Sequence, residues 1–146
     1  MERQRSKESP LGKLRILVAE DHHVIRTFVV TLLNEEFQVV GAVGDGEQLV
    51  EAARASLPDV IVSDIEMPAM DGLMAREELL SIGIEIPFVF ITLLDMARLL
   101  AHHDRYSTGY VHKMDIINEL NLGVHAVAKG RSYLSRSFKR NKQPSK

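Results

Sequence analysis

The sequence predicts an α/β fold in which a doubly wound, five-stranded parallel sheet is covered by helices on both faces. Short apolar runs alternate with longer amphipathic stretches, and the apolar runs lack the polar alternation of a half-exposed strand. The 146 residues are 45% hydrophobic and 26% charged, a balance that supports one domain with its own core. The sequence has no cysteine, which excludes disulfides, thiolate metal sites and cysteine nucleophiles.

Five strands and five helices are predicted to follow one another in turn. The strands are the short apolar runs, which span residues 14–19, 38–43, 59–64, 87–92 and 109–111. Apolar steps of three and four residues, together with turn signals, predict helices over residues 24–33, 47–55, from about 71 onward, 95–103 and 117–128. The apolar stripes of the first and last helices include Val24 and Ile117, so we expect both to face the sheet.

Right-handed crossovers between parallel strands favour the strand order 2-1-3-4-5, the flavodoxin-like arrangement. Ligands of such sheets bind beyond the carboxyl ends of the strands, where strands 1 and 3 are neighbours. Chemically active residues end or follow four of the five predicted strands: Glu20, Asp21, Asp64, Thr92 and Lys113. Each alone can be a cap, a turn residue, a β-former or a surface charge, but together at one edge they indicate a site.

The residue types at this edge favour phosphoryl chemistry. Three carboxylates within about 5 Å repel one another by roughly 3 kcal/mol per pair at an effective dielectric near 20, so the fold needs a positive partner there. Oxygen ligands without thiolates favour Mg²⁺, which is usually held by one or two carboxylates and by phosphate oxygens. Lys113 adds a fixed positive charge and Thr92 a hydroxyl. This combination predicts a site for a transferable phosphoryl group.

The same residues stand in segments that resemble the receiver domain of bacterial two-component response regulators. These segments are residues 16–22, 59–72, 91–92 and 109–113, and the resemblance covers about residues 14–135. Two further segments, residues 21–23 and 130–135, are similar to the NarL/FixJ group, whose members usually carry a C-terminal helix-turn-helix domain. The resemblance therefore implies signal transduction linked to transcription.

The resemblance also implies a phosphoacceptor and a metal site. Asp64 would take a phosphoryl group from a phosphohistidine on a sensor histidine kinase. Glu20, Asp21, Asp64 and the backbone carbonyl of Glu66 would hold Mg²⁺. The chain would be a signalling protein, not an enzyme, catalysing only its own phosphoryl transfer and dephosphorylation.

Other positions would carry the conformational response. Thr92 and Lys113 would bind the phosphoryl oxygens, and the Tyr110 ring would change rotamer with them. The surface of the fourth helix, fifth strand and fifth helix would then rearrange and control an output domain or partner. The loop beside the acceptor would be shaped by four residues: Met67, Pro68, Asp71 and Gly72.

The sequence departs from the family pattern at three places. Leu93 stands where alanine, serine or glycine is usual, and its bulk would narrow the path to Asp64. Met114 stands where many receivers have proline, and residues 101–107 replace the common Ala/Gly-rich end of the fourth helix. If Leu93 blocks the site, the alternative is a receiver-like scaffold that binds partners without phosphorylation.

A second alternative is an aspartyl-phosphate hydrolase of the haloacid dehalogenase type, which also uses an aspartate after a strand. That class needs an Asp-x-Asp motif and a cap domain. Here Glu66 stands two residues after Asp64, where that motif has its second aspartate. Dinucleotide binding is not expected, because no G-x-G-x-x-G follows the first strand.

Basic residues are concentrated at the two ends of the chain, around an acidic body. We expect residues 1–13 to be a flexible segment, 14–135 the receiver domain, and 136–146 a basic tail or a truncated interdomain linker. The chain is either a stand-alone receiver or a fragment that lacks its helix-turn-helix domain. A homodimer is one of the partners that the resemblance allows. Without a signal peptide or a long apolar run, the prediction is a cytoplasmic protein with no membrane contact.

Overall fold

A computed structural model describes residues 12–95 and 97–140. The strands are β1 Arg15–Ala19, β2 Gln38–Val43, β3 Val60–Asp64, β4 Phe88–Thr92, β5 Gly109–His112 and β6 Tyr133–Leu134. The helices are α1 His23–Asn34, α2 Gly46–Ser56, α3 Gly72–Ser81, α4 Ala97–His103, α5 Ile116–Ala128 and α6 Arg136–Arg140, with a short 3₁₀-helix over Lys113–Asp115.

All strand pairs are parallel, and the sheet order is β2-β1-β3-β4-β5-β6. The first five strands take the predicted order 2-1-3-4-5, so the flavodoxin-like fold class is confirmed. A parallel strand needs a crossover from one end of the sheet to the other, and α1 to α5 supply these crossovers. The carboxyl ends of the strands therefore meet at one edge, which we call the site edge.

The sheet is buried on both faces because successive strand residues pack into two different cores. On one face, Ile16 and Val18 of β1 pack with apolar residues of α1 and α5. On the other, Leu17 and Ala19 pack with residues of α2, α3, α4 and α6. Unbroken apolar runs are the pattern expected of such strands.

Two residues of the predicted apolar stripes do not face the sheet. Val24 in α1 is 77% exposed and Ile117 in α5 is 69% exposed. Each lies in the first turn of its helix, at the site edge, where the helix reaches past the ends of the strands. The buried positions of α1 are Val29 and Leu33, one turn apart, and α5 buries Ile116 in place of Ile117.

The fold extends past residue 135, the predicted end of the domain. Tyr133–Leu134 adds a strand beside β5, and Arg136–Arg140 is helical, with the Phe138 side chain fully buried. Residues 136–140 are therefore packed structure and not a tail, whereas residues 141–146 lie outside the described residues. Of the predicted flexible segment, residues 1–13, residues 1–11 also lie outside the described residues. Every helix in the described ranges is too short or too polar to span a bilayer.

Candidate functional site

Three side chains from three strand ends meet at the site edge. Asp64 is the last residue of β3, Glu20 follows β1, and Lys113 follows β5. The Lys113 Nζ atom lies 3.0 Å from Asp64 Oδ2 and 3.3 Å from Glu20 Oε1. Glu20 is fully buried and Asp64 is 4% exposed, so one ammonium compensates two carboxylates that water barely reaches.

The pKa values of the site reflect this burial. Burial raises the pKa of Asp64 above its ordinary value and the negative charge of Glu20 adds to the rise, while the hydrogen bond from Lys113 opposes it. For Lys113, burial acts to lower the pKa, but the hydrogen bond to Asp64 and the charges of Asp64 and Glu20 outweigh it, so the pKa is raised. Lys113 therefore stays charged at neutral pH.

A set of metal-ligating atoms lies beside this pair. Ligand atoms of Glu20, Asp21 and His22 lie within 4.8 Å of one another. Glu20 Oε2 accepts a hydrogen bond from the His22 amide at 3.1 Å, whereas the buried Oε1 accepts no hydrogen bond from the described part of the chain. Its nearest cation is Lys113, at 3.3 Å. A buried carboxylate oxygen without a hydrogen bond, next to the exposed Asp21 carboxylate, fits a hydrated divalent cation.

His22 was not predicted as part of the site, although it directly follows Asp21 in the sequence. Its Nδ1 atom lies 3.4 Å from Glu20 Oε2 and 3.5 Å from Asp21 Oδ1. Asp64 is not a member of this cluster, and its Oδ2 atom accepts a hydrogen bond from Lys113. The Glu66 residue predicted to offer its carbonyl donates its amide to Asp64 Oδ1 at 3.3 Å.

Thr92 ends β4 at the same edge and is buried. Its hydroxyl oxygen accepts a hydrogen bond from the Leu94 amide at 3.0 Å, which fixes the turn after the strand. Leu93, between them, is 61% exposed. Most of the Leu93 side chain therefore faces solvent, which gives no support to the expectation that it narrows the path to Asp64.

The loop that follows Asp64 is held close to the acceptor by local hydrogen bonds. Gly72 donates its amide to the Ile65 carbonyl at 2.7 Å, and the Asp71 side chain caps α3. A Cβ atom on Gly72 would lie 2.3 Å from the Asp64 carbonyl oxygen, so only glycine fits there. Within the loop, the Met70 amide donates to the Pro68 carbonyl at 2.7 Å, and Met67 packs against the core beneath.

Tyr110 points into the protein and is 1% exposed. Its hydroxyl donates to Asp104 Oδ2 at 2.7 Å, and the same oxygen accepts from Arg76 Nη2 at 3.1 Å. Sequence reasoning missed both Asp104 and Arg76. They are 28 residues apart, and neither lies in a motif or on a regular apolar pattern.

The segment after α5 is attached to the loop that carries Lys113. Asp115, two residues past Lys113, accepts hydrogen bonds from the Ser135 hydroxyl at 2.6 Å and from the Ser137 amide and hydroxyl at 2.9 and 2.8 Å. Ser135 also accepts from the His112 amide at 2.9 Å. The outer edge of β5, a strand of the surface that we expect to rearrange, is therefore covered by residues of the same chain.

Comparison with known proteins identifies relatives of the whole region. A family model for the response regulator receiver domain matches residues 16–125. The transcriptional regulatory protein PdtaR of Mycobacterium tuberculosis is 35% identical over 108 residues, covering 73% of this chain and 52% of PdtaR. The response regulator GacA of Pseudomonas viridiflava is 32% identical over 128 residues, covering 84% of this chain and 58% of GacA. The chain thus spans about half the length of these curated relatives.

A solved structure matches over nearly its full length. The signal receiver domain of the response regulator NarL from Mycobacterium tuberculosis aligns with a TM-score of 0.68 at 29% identity. The alignment covers 82% of this chain and 98% of that one. The similarity therefore extends over most of the described fold.

Proposed function

Because this chain belongs to the response regulator receiver domain family, we propose that it is a phosphorylation-activated switch in which Asp64 accepts a phosphoryl group from a sensor histidine kinase. The observation that carries the proposal is the contact of Lys113 with both Asp64 and Glu20 at the site edge. Phosphorylation would turn the buried acceptor carboxylate into a more highly charged group, which needs a cation beside it. Lys113 already occupies that position.

The chain's own residues orient the acceptor for attack. Lys113 holds Asp64 Oδ2 at 3.0 Å, whereas Oδ1 accepts only the longer bond from the Glu66 amide at 3.3 Å. Oδ1 is therefore the freer oxygen for attack on phosphorus. The step forms an O–P bond on Asp64 and breaks the N–P bond of the phosphohistidine, whose imidazole leaves with the electron pair.

Receivers of this family typically bind Mg²⁺, and the donor set at the site edge suits that cation. Glu20 and Asp21 would hold it from the β1 side, together with Asp64 and the Glu66 carbonyl. When bound, Mg²⁺ neutralises charge on the transferring phosphoryl oxygens. His22 lies within reach of the same two acidic side chains and would limit access to the ion from solvent.

The product carries about two negative charges and three strong acceptor oxygens in place of one carboxylate oxygen. Lys113 is already beside the acceptor, and the Thr92 hydroxyl can donate to a phosphoryl oxygen while it accepts from Leu94. Movement of these two residues would pull on β4 and β5, and through Lys113–Asp115 on the segment after α5. A signal at Asp64 would in this way reach the C-terminal part of the chain.

Exposed apolar side chains around the site edge support a protein as the phosphoryl donor. Val24 and Phe28 on α1 are 77% and 43% exposed, and Met114 in the 3₁₀-helix and Ile117 in the first turn of α5 are 78% and 69% exposed. α1 and α5 cover the same face of the sheet, so these side chains flank the acceptor together. Clustered apolar surface of this kind suits a docking helix of a kinase better than a small phosphate donor.

The output is proposed to be transcriptional. The curated relatives include a transcriptional regulatory protein, and each relative continues well beyond the region matched by this chain. Ser135 and Ser137 are hydrogen-bonded to Asp115, two residues past Lys113, so a DNA-binding domain placed C-terminal to them would receive the signal by this path.

The proposal is tested by phosphoryl transfer from a phosphohistidine kinase domain in the presence of Mg²⁺, followed by intact-protein mass spectrometry. The wild-type chain and Asp95→Asn, which removes an exposed carboxylate after β4, should each gain one phosphoryl group. Asp64→Asn should gain none. Phosphorylation of the Asp64→Asn protein would show that another residue is the acceptor. A wild type that stays unmodified with several kinases would favour the scaffold alternative.

A further inference from the structure

We propose that the cavity at the edge of the sheet opposite to the site edge binds a small aromatic carboxylate. This opposite edge carries the first residues of β4 and β5, whereas the site residues end or follow the strands. β4 has five residues, so its two ends are about 13 Å apart. The described lining includes none of Glu20, Asp64 or Lys113, so the proposal goes beyond the proposed function and does not depend on it.

The cavity has the size and the walls of a small-molecule site. Its volume is about 330 Å³, at the lower end of the range for ligand pockets, which suits a molecule of about 10 to 15 non-hydrogen atoms. Tyr106, 40% exposed, adds an aromatic ring to the lining. The apolar walls come from α3, from the segment that leads into β4 and from the end of α5: Leu80, Ile86, Pro87, Phe88 and Val127. Walls of this kind suit the flat face of an aromatic ligand.

The loop between α4 and β5, which forms one wall, is held in place by hydrogen bonds. The Ser107 hydroxyl donates to the Gly130 carbonyl at 2.7 Å and so fastens the loop to the end of α5. The Thr108 hydroxyl accepts from Arg76 Nη1 at 2.8 Å and fastens the same loop to α3. All four residues line the cavity. Because this wall is already formed, little conformational ordering opposes the binding of a ligand.

Arg76 offers the cavity a hydrogen-bond donor without an acceptor. Its side chain is 12% exposed, and its two Nη atoms donate to Thr108 and Asp104. The buried Nε atom has no hydrogen-bond partner in the described part of the chain. The guanidinium also lies 5.6 Å from the Tyr106 ring centroid and 6.0 Å from that of Phe88, contacts that restrict its orientation. A buried donor without an acceptor is unfavourable, and a ligand oxygen in the cavity would supply the acceptor.

The other charged groups of the lining favour a carboxylate as the source of that oxygen. Arg105 is exposed, and its guanidinium has no ion-pair partner among the described residues. Glu85 is exposed and adds one negative charge. A cationic ligand would face two guanidinium groups and leave Arg76 Nε without an acceptor. An anion gains a charged partner in Arg105 and an acceptor role at Arg76, so the balance favours an anion.

The test is a titration of the full chain with indole-3-acetate, followed by amide ¹H–¹⁵N correlation spectra. We expect saturable shifts of the amides of residues 105–108 and 130, with a dissociation constant of about 1 mM or below. The absence of saturable shifts up to about 10 mM would overturn the proposal. Shifts centred on residues 64 and 113 would also overturn it, because they would place the ligand at the site edge.

The charge of the ligand is tested with indole-3-acetamide, which has the same shape but no charge. The wild type should bind indole-3-acetate about fivefold more tightly than the amide, as expected of a partly exposed contact between a carboxylate and a guanidinium. Arg105→Gln should reduce this ratio. Arg54→Gln is the matched control, because it removes an exposed guanidinium that does not belong to the described lining. An equal ratio in the two variants would overturn the role of Arg105.

Two further variants test the sign of the charge and the cavity itself. Glu85→Gln removes a like charge, so it should tighten the binding of indole-3-acetate about twofold, and weaker binding would contradict the preference for an anion. Leu80→Trp places a larger side chain in the cavity and should abolish the saturable shifts. Unchanged binding by Leu80→Trp would put the ligand outside the cavity. If thermal unfolding shows that Leu80→Trp does not fold, the comparison of Arg105→Gln with Arg54→Gln decides.

The titration also separates this proposal from the proposed function. A chain that binds indole-3-acetate as expected but takes no phosphoryl group would contradict the proposed function alone. A chain that is phosphorylated on Asp64 but shows no saturable shifts would contradict the cavity proposal alone.

Discussion

The ammonium of Lys113 lies 3.0 Å from a carboxylate oxygen of Asp64, although the two residues are 49 positions apart in the chain. The contact exists because β3 and β5 are parallel and end at the same edge, with β4 between them. The same ammonium reaches Glu20 after β1. One cation thus connects three strand ends.

Lys113→Met is expected to destabilise the fold. It leaves the carboxylates of Glu20 and Asp64 buried without a cation, which costs about 3 kcal/mol in the free energy of unfolding. The double variant Lys113→Met/Asp64→Asn should recover part of the lost stability, because Glu20 is then the one buried carboxylate left of this pair. Urea denaturation measures both, and Lys129→Met, at an exposed position, is the control. A Lys113→Met protein as stable as wild type would show that the carboxylates are neutral or hydrated.

Magnesium is expected to stabilise the folded chain through the carboxylates of the site edge. At concentrations well above its dissociation constant it should raise the melting temperature by several degrees. Asp21→Asn should reduce this shift and slightly stabilise the metal-free protein, because it removes a like charge next to Glu20. Thermal unfolding with and without Mg²⁺ tests both effects. A metal-free Asp21→Asn protein that melts below wild type would assign Asp21 a structural role instead.

Stability is expected to fall in acid, partly through Asp115. Burial acts to raise the pKa of this carboxyl, but the hydrogen bonds from Ser135 and Ser137 outweigh it and hold the pKa below its ordinary value. A lowered pKa in the folded state means that the stabilisation is complete above about pH 4 and is lost as pH falls through the folded value. Asp115→Asn should therefore lose less stability than wild type between pH 5 and pH 3, measured by urea unfolding. Glu51→Gln, at an exposed position, should follow the wild-type curve.

Phe138→Ala is expected to detach the C-terminal helix. The ring is fully buried and lies 5.1 Å from that of His112, in the core that contains Tyr110. Truncation should cost about 3 kcal/mol in the free energy of unfolding, and amides of residues 133–140 should exchange with solvent faster. Lys139→Ala, one residue further and exposed, is the matched control. Equal stability of the two variants would mean that α6 is not part of the folded unit.

The order of the sheet could be predicted because its strands are buried on both faces. Burial on both faces leaves unbroken apolar runs such as residues 60–64, and parallel pairing with right-handed crossovers then restricts the topology. The family resemblance drawn from the same segments is also confirmed. By contrast, β6 has two residues and α6 has five, too few for any periodic pattern, and their place depends on the contact of Asp115 with Ser135.

The site could be predicted only as far as the strand ends determine it. Glu20, Asp64 and Lys113 each follow a strand, so the topology alone brings them to one edge. The Asp104–Arg76 pair could not be predicted, because it joins a helix face to an irregular loop 28 residues away. The exposure of the Leu93 side chain could not be predicted either, because it depends on the direction of the side chain, which no sequence pattern encodes.

The central claim is that Asp64, Lys113 and the acidic residues after β1 form a phosphoryl site. The most direct test is isothermal titration of the chain with beryllofluoride in the presence and absence of Mg²⁺. We expect saturable binding of one equivalent by the wild type only with Mg²⁺, no binding by Asp64→Asn, and at least tenfold weaker binding by Lys113→Met. Binding that persists in Asp64→Asn, or that does not require Mg²⁺, would contradict the account.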